Sequence, residues 1–207
     1  MTTNITTTTT SAAEPAGRLI LASASPRRQA LLREAGYSFE VDVAGIDESS
    51  PPASMLPPQV AVHLAEAKAK AVAGRHPDDV VLAADTVVSF GDMMLGKPAD
   101  AAAAKKMLQL LSGTTHVVVT GVCVTCQATR HFKSGRSMSA VRMRLLTPAE
   151  IDQYVASKQW EGKAGGYGIQ DPDPFVIRIA GSKTNIVGLP MSLARQMLEE
   201  AGVKPSR

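Results

Sequence analysis

A serine- and arginine-rich turn near the start of the chain has the composition of an anion-binding site. Ser25 is a good N-cap and Pro26 suits the first helical position, so a helix should begin here. Arg27 and Arg28 then lie in the first turn, where the helix dipole disfavours cations. A bound anion reverses that cost, and Ser23 adds a second hydroxyl. These residues predict a phosphate site rather than a simple solvated basic turn.

Asp85 is a candidate catalytic group because it interrupts an apolar, β-branched run over 80–88. A lone buried carboxylate is costly unless it is paired or metal-bound. Either the strand ends at Ala84, or Asp85 faces a polar cleft. Both alternatives put Asp85 at a strand end, where open α/β sheets bind ligands. An aspartate in a simple turn is the competing interpretation.

Further polar groups and a glycine-rich stretch indicate a function only when they are considered together. Glu48, beside Asp47, lies in a loop rich in proline and serine, and paired acids in a loop are usually solvated. Lys68 belongs to a predicted helix and Lys97 to a short extended segment. The glycine-rich stretch 162–171 suggests backbone close to a ligand.

Together these cations and acids suit a polyphosphate bound with a divalent cation. The cations hold the phosphates, while the acids hold the metal and activate water. Oxygen ligands without a Cys/His cluster favour Mg²⁺ or Mn²⁺ over zinc. The glycine-rich stretch is neither a Walker loop nor a dinucleotide fingerprint, because Lys163 precedes an alanine and the stretch precedes a strand.

The two cysteines, Cys123 and Cys126, are predicted to be structural. They form a C-V-T-C pattern at the end of a β-rich run, whereas a redox pair should open a helix. A zinc site would need two more ligands, and the histidines show no ligand spacing. Free thiols fit a reducing, cytoplasmic location.

Hydrophobic patterning predicts alternating strands and helices. A β-strand at 19–22 should lead into the helix that begins at Pro26 and ends at Gly36. Further strands are predicted at 39–45, 116–125, 137–146 and 175–181, with one more within the apolar run 80–88. Further helices are predicted at 59–73, 101–111, 148–157 and 191–201. This alternation is typical of an α/β protein.

Composition narrows the possible partners. The 207 residues suit one domain at 18–207, preceded by a Thr-rich tail at 1–17 that is expected to be disordered. A net charge of +3 and only 4% aromatic residues argue against stable nucleic-acid binding. The apolar runs are too short to cross a membrane, and the N-terminus lacks the pattern of a secretory signal.

Six motifs in one order resemble the Maf (septum-formation protein) family of nucleoside triphosphate pyrophosphatases. They are SASPRR, the DE pair at 47–48, KAK at 68–70, ADTVV, GKP, and KAGGYGIQ followed by VGLP. The similarity runs from about Leu19 to Gly202. It implies an α/β fold like that of the inosine triphosphatases, with a mixed sheet, flanking helices and two lobes around a central cleft.

The same resemblance implies a house-cleaning activity that cleaves the α–β phosphoanhydride with a divalent metal, Mg²⁺ or Mn²⁺. Asp85 would accept the proton from water, and Glu48 would help Asp85 to hold the metal. Phosphate clamps and specificity positions are also implied. The clamps are Arg28, Lys68 and Lys97 beside Ser23, and the specificity positions are Arg27, Thr86 and Gln170.

The YGIQ form resembles the branch of the family that acts on dTTP and UTP. Two departures affect base choice: Gly166 replaces the usual alanine, and Asp171 replaces the glycine that normally follows Gln170. The alternatives are a 7-methyl-GTP or non-standard purine triphosphate pyrophosphatase, and a non-catalytic nucleotide-binding regulator of cell division. The resemblance also favours a homodimer.

Overall fold

The computed structural model describes residues 17–48, 52, 54–172 and 174–206. The tail predicted to be disordered, 1–17, lies outside these residues apart from Gly17. Within the described ranges, none of the helices has the length and apolar character needed to cross a membrane.

Within the residues that the structure describes, seven strands form one mixed sheet flanked by helices, which confirms the predicted fold class. The strands are β1 (Leu19–Leu21), β2 (Glu40–Val41), β3 (Val80–Phe90), β4 (Met93–Leu95), β5 (Thr115–Cys126), β6 (His131–Met143) and β7 (Val176–Ala180). The helices are α1 (Pro26–Glu34), α2 (Pro57–Ala73), α3 (Ala101–Leu111), α4 (Pro148–Ala156), α5 (Lys183–Val187) and α6 (Met191–Glu200). The strand order is β2-β1-β3-β5-β6-β7, and β4 pairs with β3.

The sheet has a gap beside the middle of β3. β5 pairs with β3 from Val81 to Ser89 and occupies one edge of the strand. β1 pairs with Val80–Leu82 and β4 with Val88–Phe90, so both must share the other edge. Among the described strands, none pairs with residues 83–87 on that edge. Ligands can therefore approach this part of β3 edge-on.

The two faces of β3 contact different helices, because side chains alternate along a strand. Val81 and Ala83 pack in a cluster with Ala65 and Ala69 of α2. Leu82 and Ala84 pack on the opposite face, in the cluster that includes residues of α1 and α6. A cleft at the gap can therefore be lined by side chains from the helices on both faces of the sheet.

Asp85 lies in the middle of β3, so the predicted strand end at this position is wrong. The strand continues because Asp85 pairs across the ladder with Gly121 of β5. Asp85 as a whole residue is only 5% exposed. Of the two alternatives, the polar cleft is the one that occurs, and the Asp85 carboxylate contacts Lys68 of α2 there.

Other strand and helix boundaries differ from the predicted ones because of contacts between distant parts of the sequence. β2 covers two residues rather than 39–45, because Asp42 turns towards Arg75 in an ion pair of 2.9 Å. β6 begins at His131 rather than 137, since its polar first half is held by the ladder to β5. β4 falls in the segment that was predicted only as a turn followed by a short extended stretch, α5 was not predicted, and α2 begins at Pro57 rather than Gln59.

The cysteines are buried in the sheet as free thiols, as predicted for structural residues. Cys123 is fully buried beside α2, and burial raises the pKa of its thiol to about 12. A thiol with this pKa stays protonated at neutral pH and is a poor nucleophile or metal ligand.

Candidate functional site

A cleft of about 480 Å³ opens at the gap in the sheet. Its walls come from the segment after β1, the first turn of α1, α2, the middle of β3 and the glycine-rich stretch 162–171. Every residue that the sequence predicted for the site lines this cleft. These residues are Ser23, Arg27, Arg28, Glu48, Lys68, Asp85, Thr86, Lys97 and Gln170.

The first turn of α1 presents a fixed guanidinium to the cleft. Ser25 caps the helix, with its hydroxyl 3.5 Å from the backbone N–H of Arg28. The Arg28 side chain donates from Nη1 to Ser23 Oγ at 2.9 Å and from Nε to the Gly188 carbonyl at 2.7 Å. Burial lowers the pKa of Arg28, which indicates a cation that a bound anion would stabilise.

Thr86 receives the third hydrogen bond of Arg28, from Nη2 at 3.1 Å. Behind it, Thr120 donates to the Asn185 carbonyl at 3.0 Å. A carbonyl can only accept, and a threonine hydroxyl has one proton. Thr120 must therefore accept from Thr86, 3.0 Å away. This series of hydrogen bonds fixes the Thr86 hydroxyl as an acceptor towards Arg28.

Lys68 joins the two candidate acids. Its ammonium lies 2.6 Å from Asp85 Oδ1 and 2.9 Å from Glu48 Oε1. The Lys68 side chain is 7% exposed and that of Asp85 8%. Within the described residues, Oδ2 of Asp85 has no hydrogen-bond partner, which leaves this oxygen available to water or a cation.

Gly121 allows α2 to bring Lys68 to this position. It lies directly opposite Asp85 in the β3–β5 ladder. A Cβ atom at Gly121 would overlap the carbonyl group of Ala61 in α2. Any larger residue would push the helix away from the sheet, and Lys68 with it.

Glu48 lies between two lysines at the mouth of the cleft. Lys97 approaches its Oε2 at 3.7 Å, opposite the oxygen held by Lys68. Burial alone would raise the pKa of Glu48, but the hydrogen bond and charge of Lys68, with the charge of Lys97, hold it below its usual value. Glu48 is therefore ionised at neutral pH.

The glycine-rich stretch forms the far wall and contains one turn of 3-10 helix at Ala164–Gly166. Gly165 donates its N–H to the Gly96 carbonyl at 2.9 Å, next to Lys97. Glycine is required at position 165, because its φ is 72° and a Cβ atom there would lie only 2.9 Å from the Val88 side chain. Arg27 donates to the Gly162 carbonyl at 2.9 Å, and Gln170 lines the cleft.

The sequence did not single out Tyr154, Lys163 or Tyr167 as site residues, and Asp171 was noted only as a departure from the motif. Asp171 forms an ion pair with Lys163 and accepts from Tyr154 Oη at 2.7 Å. Lys163, Tyr167 and Asp171 line the cleft. Lys163 and Asp171 are eight positions apart in a glycine-rich loop, and such a pair leaves no periodic pattern in the sequence. The ion pair is therefore visible only in the folded structure.

Tyr167 is held from behind by His116, which is 2% exposed. The Tyr167 hydroxyl lies 2.6 Å from His116 Nε2, and Nδ1 of this ring has no partner among the described residues. Burial lowers the pKa of His116 from 6.5 to about 4. The ring is therefore neutral at physiological pH.

This histidine should make folding stability depend on pH. Between pH 6.5 and about 4 the unfolded chain protonates His116 while the folded protein does not, so the free energy of unfolding falls as the pH falls through this window. Urea unfolding at several pH values should give a shallower slope for His116→Gln than for the wild type. Equal slopes would show that His116 is not buried in its neutral form.

Two oxygen ligands are available for a divalent cation, from Asp85 and Glu48. The described residues contain no cluster of three or more His, Cys, Asp or Glu side chains that suits a metal. Mg²⁺ is commonly bound through one or two carboxylates, with substrate phosphates and water completing the octahedron. The donor set therefore fits Mg²⁺ or Mn²⁺ bound together with a phosphorylated ligand, and it does not fit a structural zinc site.

Two relatives with high sequence identity agree with the motifs, and one solved structure is a distant match. A relative from Deinococcus radiodurans named dTTP/UTP pyrophosphatase is 47% identical over 92% of this chain and 96% of its own length. One of the same name from Paramagnetospirillum magneticum is 48% identical over 90% and 98%. A solved nucleoside-triphosphatase / dITP/XTP pyrophosphatase from Mycobacterium abscessus is a distant match, with 14% identity, a TM-score of 0.42 and coverage of 91% of this chain and all (100%) of its own.

A family model described as Maf-like protein matches residues 18–201. This range contains all six motifs and every residue of the cleft described above. The chain belongs to the Maf-like protein family.

Proposed function

We propose that the protein hydrolyses nucleoside triphosphates to a nucleoside monophosphate and pyrophosphate, with dTTP and UTP as preferred substrates. The observation that carries this proposal is the arrangement at the gap, where Lys68 joins Asp85 and Glu48 opposite the Arg28 guanidinium. Relatives at 47% and 48% identity carry the name dTTP/UTP pyrophosphatase.

The α1 end of the cleft is suited to bind the triphosphate. The positive end of the α1 dipole, the Ser23 hydroxyl and the Arg28 guanidinium all favour an anion. Lys97, which is 57% exposed at the cleft mouth, can move from Glu48 towards phosphate oxygens. Clamping the phosphates orients the phosphoanhydride for in-line attack and stabilises the charge that develops on it.

Asp85 is suited to accept the proton of the attacking water. Lys68 holds Oδ1 and orients the carboxylate, so that Oδ2 can take a water proton. A divalent cation held by Asp85 and Glu48 would supply charge neutralisation and lower the pKa of a bound water.

Base choice is assigned to Gln170, Arg27 and Thr86. A glutamine amide offers one acceptor and one donor, which matches the O4 and N3–H groups of uracil and thymine. Gly162, which accepts from Arg27, lies at the start of the same loop that carries Gln170. The Arg27–Gly162 hydrogen bond therefore links two of these specificity residues, Arg27 and Gln170, through the position of the loop.

A substrate panel tests the proposal. Pyrophosphate release should be fastest with UTP and dTTP among UTP, dTTP, CTP, GTP, 7-methyl-GTP and ITP, in Mg²⁺ or Mn²⁺. EDTA should abolish turnover, because two unshielded carboxylates repel a triphosphate. Faster turnover of 7-methyl-GTP or ITP would support the alternative specificities, and binding without turnover of any nucleotide would support the regulator. Full activity in EDTA would remove the metal from the mechanism.

Four broader expectations remain predictions. We infer a catalytic unit of residues 18–207, a homodimer, a cytoplasmic location and the absence of stable nucleic-acid binding. Light scattering of the purified protein would give the oligomeric state. Activity of a chain that starts at Gly17 would show that the N-terminal tail is dispensable.

A further inference from the structure

The glycine-rich loop is closed on itself by one carboxylate. Both oxygens of Asp171 are engaged: Lys163 contacts Oδ1, and Tyr154 donates to Oδ2 at 2.7 Å. The Asp171 side chain is 11% exposed and that of Lys163 14%. We name these three residues, Asp171, Lys163 and Tyr154, the Asp171 clamp.

The clamp is anchored in the core through Tyr154. This residue is 7% exposed on α4, and its ring packs edge-on against Phe175 with centroids 4.8 Å apart. Burial and the bond to Asp171 raise the pKa of its hydroxyl, so Tyr154 stays a neutral donor. Asp171 is therefore tied to a packed helix rather than to another loop.

Gln170 is the residue that this anchor holds. The backbone N–H of Asp171 donates to the Gly168 carbonyl at 3.4 Å, which closes a turn around Ile169 and Gln170. The clamp also packs against the Gly168 backbone, where a Cβ atom would lie 2.6 Å from Asp171 Oδ1 and 2.9 Å from Lys163 Nζ. The turn is thus fixed at both ends, and Gln170 lines the cleft between them.

We propose that Asp171 is a positioning residue for substrate specificity. Through the clamp it holds Gln170 in place, so that the Gln170 amide forms hydrogen bonds with the base in one fixed orientation. This inference rests on the proposed function, since it assigns the origin of base choice within the same site. A carboxylate that instead served phosphate binding would repel the substrate. Its two oxygens are already occupied by the loop and α4.

The consequence is a selective loss of discrimination when the clamp is opened. An amide free to move can present its donor or its acceptor to either pyrimidine pattern, so the advantage of UTP over CTP should shrink. Phosphate binding and proton transfer use Arg28, Lys68 and Asp85, and none of these makes a hydrogen bond or ion pair with the clamp. The charge of Asp171 does act on Arg27, but Arg27 is itself assigned to base choice. Turnover of CTP should therefore change little.

Two variants test the clamp. Asp171→Asn keeps the shape and removes the charge, and Tyr154→Phe removes only the hydroxyl. We expect each to lower the UTP-to-CTP ratio of kcat/KM by about fivefold or more, mainly through UTP. Asp152→Asn, which breaks an exposed α4 pair with Lys105, is the matched control and should leave the ratio unchanged. An equal fall for both nucleotides in the clamp variants would make Asp171 merely structural and overturn the proposal.

Amide hydrogen exchange gives a readout that does not need turnover. The peptide that covers 163–171 should exchange faster in Asp171→Asn and Tyr154→Phe than in the wild type or Asp152→Asn. Unchanged exchange would refute the clamp itself. A wild-type protein that releases no pyrophosphate would refute the proposed function and the specificity role with it, and the exchange experiment would still decide whether the clamp fixes the loop.

Discussion

Asp85→Asn is expected to hydrolyse UTP at least about 100-fold more slowly than the wild type. The amide keeps the shape of the carboxylate but cannot accept the proton, and it removes one charge from the candidate metal site. Because Lys68 holds Oδ1 of Asp85 at 2.6 Å, the side chain of the variant should stay in place. Steady-state kinetics of pyrophosphate release should therefore show the loss chiefly in kcat.

Asp79→Asn is a suitable control for this experiment. Asp79 is also buried and forms an ion pair, with Arg18 at 2.9 Å, but it does not line the cleft. We expect the control to lose stability and to retain its kcat. Near-wild-type kcat in a folded Asp85→Asn protein would rule out Asp85 as the proton acceptor.

Lys68→Met should destabilise the protein at neutral pH by roughly 3 kcal/mol. The ammonium is the shared partner of two carboxylates, and its removal leaves Asp85 buried beside Glu48 without compensation. The loss should shrink as the pH falls, since protonation relieves the repulsion. Loss of Lys68 also removes the main cause that keeps the pKa of Glu48 low.

Mg²⁺ should recover part of this stability, because a divalent cation can take the place of the ammonium between the carboxylates. Urea unfolding with and without Mg²⁺ measures the effect, and we expect a larger Mg²⁺ effect in Lys68→Met than in the wild type. Lys70→Met is the matched control, as Lys70 lies on the exposed side of α2 over the Phe132 ring. Equal losses in the two variants, or no greater effect of Mg²⁺ on Lys68→Met, would contradict the proposed metal site.

The sequence predicted the parts of the site whose signals are local. Ser25 and Pro26 mark a helix start by capping chemistry alone, and the structure begins α1 at Pro26. Asp85 is conspicuous because a carboxylate in an apolar strand needs a partner, and Lys68 is that partner. The motif order then assigned these residues to one family, which matches residues 18–201.

The features that the sequence could not predict depend on non-local pairing. Asp85 was expected at a strand end, whereas the gap is made by β1 and β4 sharing one edge of a continuous β3. β4 has three residues and little pattern of its own, so nothing local revealed that edge. The Asp171 clamp likewise joins residues eight and seventeen positions apart across a loop and a helix.

The products of UTP hydrolysis by the wild-type protein test the central claim most directly. Nucleotides would be separated by anion exchange after incubation with Mg²⁺, and pyrophosphate and orthophosphate would be assayed in parallel. The proposed site predicts UMP and pyrophosphate in equal amounts from the start of the reaction. Formation of UDP with orthophosphate would place cleavage at the β–γ bond and contradict it.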